Sequence, residues 1–134
     1  MSGRMVLFFR EISKNDVPIV GGKAANLGEM YNKTNVPIPP GFAVTANAFW
    51  HFINKNKLGD RIAHELHRIV DSNDTKALEK GGTNIRGMIL KAKIPEDLRK
   101  DIELAYEKMG EPLVAARSSA TAEDLPGASF AGAQ

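Results

Sequence analysis

The sequence has no cysteine, so a disulfide framework, a thiolate metal site and a cysteine nucleophile are all excluded. It has little net charge. Lys and Arg total 18 against 16 Asp and Glu, a formal +2, so the basic pI near 8.9 reflects a small excess. Aromatic residues make up only 7%, and nothing like a dense Lys/Arg stripe interleaved with aromatics is present, which argues against a dedicated nucleic-acid binder. Long apolar runs are also missing. The stretch Met5-Val6-Leu7-Phe8-Phe9 is far too short for a signal-peptide core or a membrane span, which points to a cytoplasmic protein without a membrane partner. There is no internal repeat and no low-complexity tract. What the chain does have is 134 residues, 43% hydrophobic and 25% charged, values of an ordinary globular domain with enough length for a core.

Punctuation by Gly and Pro divides the chain. Val6 to Ile12 reads as a short strand and Ser13 to Pro18 as a turn-rich connection. Gly21-Gly22 then breaks the chain before a helix over 23–32, with Ala24, Leu27, Gly28 and Tyr31 at helical spacing. The run Val36-Pro37-Ile38-Pro39-Pro40-Gly41 cannot be helix interior, because proline lacks a donor and restricts its predecessor. Residues 42–45 follow as a short buried strand, and Thr45 is the expected N-cap of a helix over 46–57 with Phe49, Phe52 and Ile53 on one face. Asp60 is expected to cap the next helix, which carries Ile62, Leu66, Ile69 and Val70. Gly81-Gly82 is read as an interruption between two helical pieces. The clearest helix has Pro95 at its first position, Glu96 and Asp97 in its first turn, the stripe Leu98, Ile102, Ala105 and Met109, and Gly110 as its stop. Residues 113–116 read as a buried strand that delivers Arg117 into a polar loop, and another strand is expected to start at Phe130. Short strands around a helical block describe an α/β (α+β) domain, with the chemistry expected where strands end.

Three segments could carry that chemistry. In Gly21-Gly22-Lys23-Ala24, glycine lets backbone amides turn towards an anion at a helix N-terminus, and Lys23 would add a mobile cation for phosphate. It is not a Walker A loop, since Val17 stands where the first Gly belongs and Ala24 replaces the magnesium-binding Ser/Thr. The plain alternative is a glycine turn before an amphipathic helix with a solvated lysine. In Arg117-Ser118-Ser119-Ala120-Thr121, an Arg held at a strand end can grip paired phosphate oxygens, and the hydroxyls of Ser118, Ser119 and Thr121 add short donors. Alternatively, Arg117 pairs with Glu123 or Asp124 and the hydroxyls cap a turn. The third segment runs from Leu125 to Gln134. Its small residues would allow close approach to a ligand, but taken alone it reads as a flexible turn leading into an edge strand. His64 and His67 lie three apart around Glu65, not at zincin spacing, and no third ligand is evident, so a solvated helix face is expected and no metal site is assigned.

Taken jointly, Gly22-Lys23-Ala24-Ala25-Asn26-Leu27-Gly28-Glu29-Met30, Val36 to Thr45, Ala116 to Pro126 and Ala128-Ser129-Phe130-Ala131-Gly132 resemble, in order, the N-terminal nucleotide-binding region of the phosphoenolpyruvate synthase (pyruvate, water dikinase) and pyruvate phosphate dikinase family, to which rifampicin phosphotransferase is related. The resemblance spans about residues 7 to 134. It implies the N-terminal subdomain of an ATP-grasp-type domain that binds ATP. Lys23 and Arg117 match the family's phosphate-contacting lysine and arginine, and Gly132 matches the glycine of the loop that approaches the nucleotide. Ser118, Ser119 and Thr121 are further phosphate-binding candidates, and Arg117 is the catalytic candidate. The parent reaction would convert ATP, pyruvate and water to AMP, phosphoenolpyruvate and phosphate through a phosphohistidine. Mg2+ ligands, adenine contacts, the carrier histidine and the pyruvate-binding barrel are expected in parts of the parent absent from this chain, or in a separately encoded complement. None of the three histidines matches the phosphoryl carrier. Residues 1–134 are therefore read as one N-terminal subdomain, a truncated or split-gene piece that is inert alone. A fragment of a rifampicin phosphotransferase-like enzyme and a non-catalytic interaction module of this fold are the alternatives.

Overall fold

In a computed structural model, which describes residues 3–121, the chain is mainly helical with one small sheet. It divides into two compact units: Met1–Phe49 with Glu96–Gln134, and Trp50–Pro95.

In the first unit, β1 (Val6–Phe8) and β2 (Phe42–Val44) pair antiparallel, with Val6 opposite Val44, Leu7 opposite Ala43 and Phe8 opposite Phe42. The Phe8 and Phe42 rings meet edge to face at 6.0 Å, the cross-strand aromatic contact that fixes such a register. The strand expected over 6–12 ends early. Residues Phe9–Glu11 instead form a 3-10 turn, in which Phe8 N–H donates to the Glu11 carboxylate. The second strand is half-buried, with Val44 on its outer side, where a buried strand was expected.

The helix α1 spans Val17–Lys33 and is broken at Gly21, whose φ of 83° and ψ of 165° are not helical. It starts earlier than the glycine pair suggests because Pro18 is tolerated in a first helical turn, where its missing N–H costs nothing. Beyond the break, α1 packs on the chain leaving β1. Gly28 lies so close to Ile12 that an added Cβ would fall 2.6 Å from the Ile12 Cβ. Asn32 Nδ2 donates towards the carbonyls of Phe9, Ile12 and Gly28, at 2.9 to 3.0 Å. The core here is Ile12, Val20, Ala24 and Ala25, flanked by Leu7, Phe9, Val17 and Ala43.

Helix α2 (Ala46–Lys55) carries the boundary between the units. Thr45 caps it as expected, its Oγ1 accepting from Ala48 N–H at 3.3 Å while donating to the Arg4 carbonyl at 2.6 Å. Of its expected apolar face, Ile53 is buried and Phe52 partly so, while Phe49 is half-exposed.

The second unit is a helical hairpin of α3 (Gly59–Ser72) and α4 (Thr75–Lys91). Asp60 does not cap α3. Buried Leu58 sets the start, its N–H bonded to the Ile53 carbonyl and its own carbonyl to Ile62 N–H, so Asp60 falls inside the first turn, where its charge still suits the helix dipole. Gly81-Gly82 does not interrupt α4 either. Gly81 is buried against α3, where an added Cβ would meet Ile69 Cδ1 at 2.3 Å, so this glycine serves close helix packing rather than chain breaking. Asp74 is the side-chain cap of α4, Oδ1 accepting from Lys76 N–H.

Back in the first unit, α5 (Glu96–Lys108) lies within one residue of its expected limits at each end, with Pro95 just before the helix rather than at its first position. Leu98 and Ala105 are buried, and the helix is stopped by Gly110 in the left-handed region at φ 85°. Residues 113–116 correct the expectation of a buried strand. They belong to no regular element and have no ladder partner among the described residues, and Leu113 is fully exposed. A strand is made by its neighbour's hydrogen bonds, not by its own composition.

Candidate functional site

Two of the three candidate segments meet in the first unit. Gly21 occupies the N-cap position of the second half of α1, but it has no side chain to accept the orphan amides there. Ser119 takes that place. Its Oγ accepts from Ala24 N–H at 3.0 Å, the third amide after Gly21, across a separation of 95 residues. The same hydroxyl donates to the Val20 carbonyl at 2.7 Å, and Gly22 N–H donates to the Ala120 carbonyl at 3.2 Å. The junction is tight. A Cβ on Gly21 would stand 2.5 Å from Ser119 Oγ and 2.6 Å from the Ser119 carbonyl, and φ is positive, so only glycine fits.

The amides of Gly22 and Ala24, read in the sequence as free to turn towards an anion, are thus bonded within the protein. Lys23 is partly buried at the helix start, and Arg117 is exposed two residues before Ser119. Ser118 and Thr121 are exposed as well, while Ser119 and Ala120 are partly buried. The hydroxyl of Ser119 does cap, as the plain reading of the segment allowed, but it caps a helix far away in sequence rather than its own turn. Gly132, Glu123, Asp124 and the segment from Leu125 to Gln134, with the strand expected from Phe130, lie outside the described residues.

His64 and His67 are exposed on α3. Between them in sequence, Glu65 is buried and held by Arg68 at 3.2 Å and Asn84 at 3.4 Å. Among the described residues no group of three or more His, Asp or Glu side chains comes together to hold a metal ion. No described helix is long and apolar enough to cross a membrane. Sequence reading missed Gly21 as the cap position and Ala120 as an acceptor. Gly21-Gly22 marked the turn, but nothing local pointed to the partner 95 or more residues away.

The family model for the pyruvate phosphate dikinase AMP/ATP-binding domain matches residues 17–134, which include both halves of this junction. The chain belongs to this family. Among the relatives of this dikinase-family chain, a probable phosphoenolpyruvate synthase of Methanocaldococcus jannaschii is 49% identical over 99% of the chain, which covers 12% of that protein. Phosphoenolpyruvate synthases of Aeropyrum pernix and Deinococcus radiodurans are 45% and 46% identical over 100% and 97% of the chain, covering 17% of each. The chain therefore spans 12% to 17% of the length of these relatives. It matches the nucleotide-binding domain of a family whose members are much longer.

Proposed function

We propose that the chain forms one wall of the ATP site of a phosphoenolpyruvate synthase-like phosphotransferase, the N-terminal subdomain of an ATP-grasp-type domain. The observation that carries this reading is the junction itself, where the helix start bearing Lys23 and the segment bearing Arg117 are bonded to each other through Ser119 and Ala120. A lysine in the first turn of a helix and an arginine on the segment bonded to that turn suit a polyphosphate. The transferring phosphoryl group gains charge on its outer oxygens, and placing fixed cations there is the protein's main contribution to such a reaction. Lys23 supplies a compact ammonium group, and Arg117 a planar fork for paired oxygens. Ser118 and Thr121 are exposed donors beside Arg117, and Gly132 is assigned to the loop that approaches the nucleotide.

Among the described residues no group of three or more acidic or histidine side chains stands together. The Mg2+ ligands are assigned to other parts of the parent, and no step here depends on the ion. The parent reaction is ATP, pyruvate and water to AMP, phosphoenolpyruvate and phosphate through a phosphohistidine, a cytoplasmic reaction of pyruvate metabolism and gluconeogenesis. The remaining domains of the parent, or a separate chain that replaces them, are the partners. The phosphoenolpyruvate synthase names of the relatives favour this reading over a rifampicin phosphotransferase.

The test is phosphoryl transfer from γ- or β-labelled ATP to the carrier histidine in the full-length parent. Lys23→Ala and Arg117→Ala are each expected to lower transfer at least about 100-fold, the scale of losing one transition-state charge contact. Transfer at the wild-type rate in either variant removes the assigned role.

A further inference from the structure

We infer that Ser119 is a positioning residue, one that supplies the missing helix cap at Gly21 and so ties the Arg117 segment to the start of the Lys23 helix. The inference rests on the proposed phosphate site and deepens it. A helix normally caps itself with the side chain at its N-cap, whose oxygen accepts from the second or third following amide. At this break the N-cap residue is glycine, and the oxygen arrives from another part of the chain. Ser119 Oγ reaches Ala24 N–H, the position an intrinsic cap would serve, and spends its single proton on the Val20 carbonyl. Both sides of the break are thus held by one hydroxyl, the helical turn before it through Val20 and the helix after it through Ala24.

Geometry also accounts for the glycine. With φ of 83° and a Cβ position 2.5 Å from Ser119 Oγ, any side chain at position 21 would displace the hydroxyl that replaces it. Gly21 and Ser119 therefore form one device. The device leaves the Ser119 proton committed, so Ser119 acts on phosphate through the placement of Lys23 and Arg117 and not as a donor of its own. The adjacent Gly22 N–H to Ala120 carbonyl bond aligns the two backbones in the same register.

The experiment has two arms. In the ATP-free chain, amide hydrogen exchange is measured for Ser119→Ala and Gly21→Ala. Both are expected to speed exchange at Ala24 about fivefold, the scale of losing a helix cap, while the amides of α5 stay at wild-type rates. Unchanged exchange at Ala24, or acceleration spread equally over α5, overturns the proposal. In the full-length parent, Ser119→Ala is expected to lower kcat for histidine phosphorylation about tenfold with KM for ATP within about twofold, because misplacement is felt in the transition state. Ser119→Thr, which keeps the hydroxyl, is expected to recover most of that loss. A raised KM with unchanged kcat would make Ser119 a direct phosphate ligand and overturn the positioning role. Failure of the underlying site reading shows separately, as wild-type phosphorylation in Lys23→Ala with the exchange result intact.

Discussion

Gly28 shows how a single residue sets the distance between two segments. Its Cα face lies against Ile12, with side-chain and backbone atoms of that residue 2.6 to 2.7 Å from where a Cβ would sit. Neither side can yield without moving backbone, so Gly28→Ala is expected to destabilise the chain by about 2 to 3 kcal/mol in urea unfolding; a loss below about 0.5 kcal/mol would contradict the packing described. In the sequence, Gly28 stood out as one member of a helical spacing and of a family motif, with no sign of what it packs against. The clamp by Asn32, which ties the same region to three carbonyls, left no trace there at all. Thr45 was legible because its partner is local, Ala48 three residues on. Ser119 was legible as a useful hydroxyl or the cap of its own turn, but not as the cap of α1, since its partners lie 95 and 99 residues away.

Elements follow the same division between local and distant causes. Helix α5 could be read almost to its ends because its signals, acidic residues in the first turn and glycine after the last, act within the helix. Helix α4 could not, because Gly81-Gly82 looks like a break until Ile69 of α3 is placed against Gly81. Another glycine in the same helix has a different role. A Cβ at Gly87 would meet nothing within 4 Å, so Gly87→Ala is expected to raise stability by about 1 kcal/mol through helix propensity alone. A thermal-unfolding midpoint lower than that of the wild type would contradict this. Residues 113–116 are the reverse case. Their composition is that of a buried strand, yet without a ladder partner among the described residues the apolar side chains of Leu113 and Val114 stay in solvent.

At the scale of the whole chain, charge enters through a few carboxylates rather than the net +2. Arg4, and then the Phe8 N–H, hold the Glu11 carboxyl below its ordinary range, and the Lys14 N–H with Lys33 does the same for Glu29. A carboxylate lowered in the folded state stabilises above its unfolded pKa, about 4.3 for glutamate. That contribution is lost as pH falls through the lower folded values. Stability to urea is therefore expected to be flat with respect to these groups near neutrality and to decline below about pH 4.3; Glu11→Gln and Glu29→Gln together should flatten the decline, and an unchanged slope would contradict the assignment. Family membership was legible from the ordered motifs and agrees with the match over residues 17–134. What the motifs could not give was their mutual arrangement, which depends on hydrogen bonds between segments nearly a hundred residues apart. The central claim is that this junction faces ATP phosphates, and it is tested most directly by titrating the chain with millimolar ATP and magnesium while following backbone amide shifts. Shifts concentrated at residues 22–24 and 117–121 are predicted. No shifts at those residues at any millimolar concentration, or shifts confined to α3 and α4, would contradict the claim and favour a non-catalytic module.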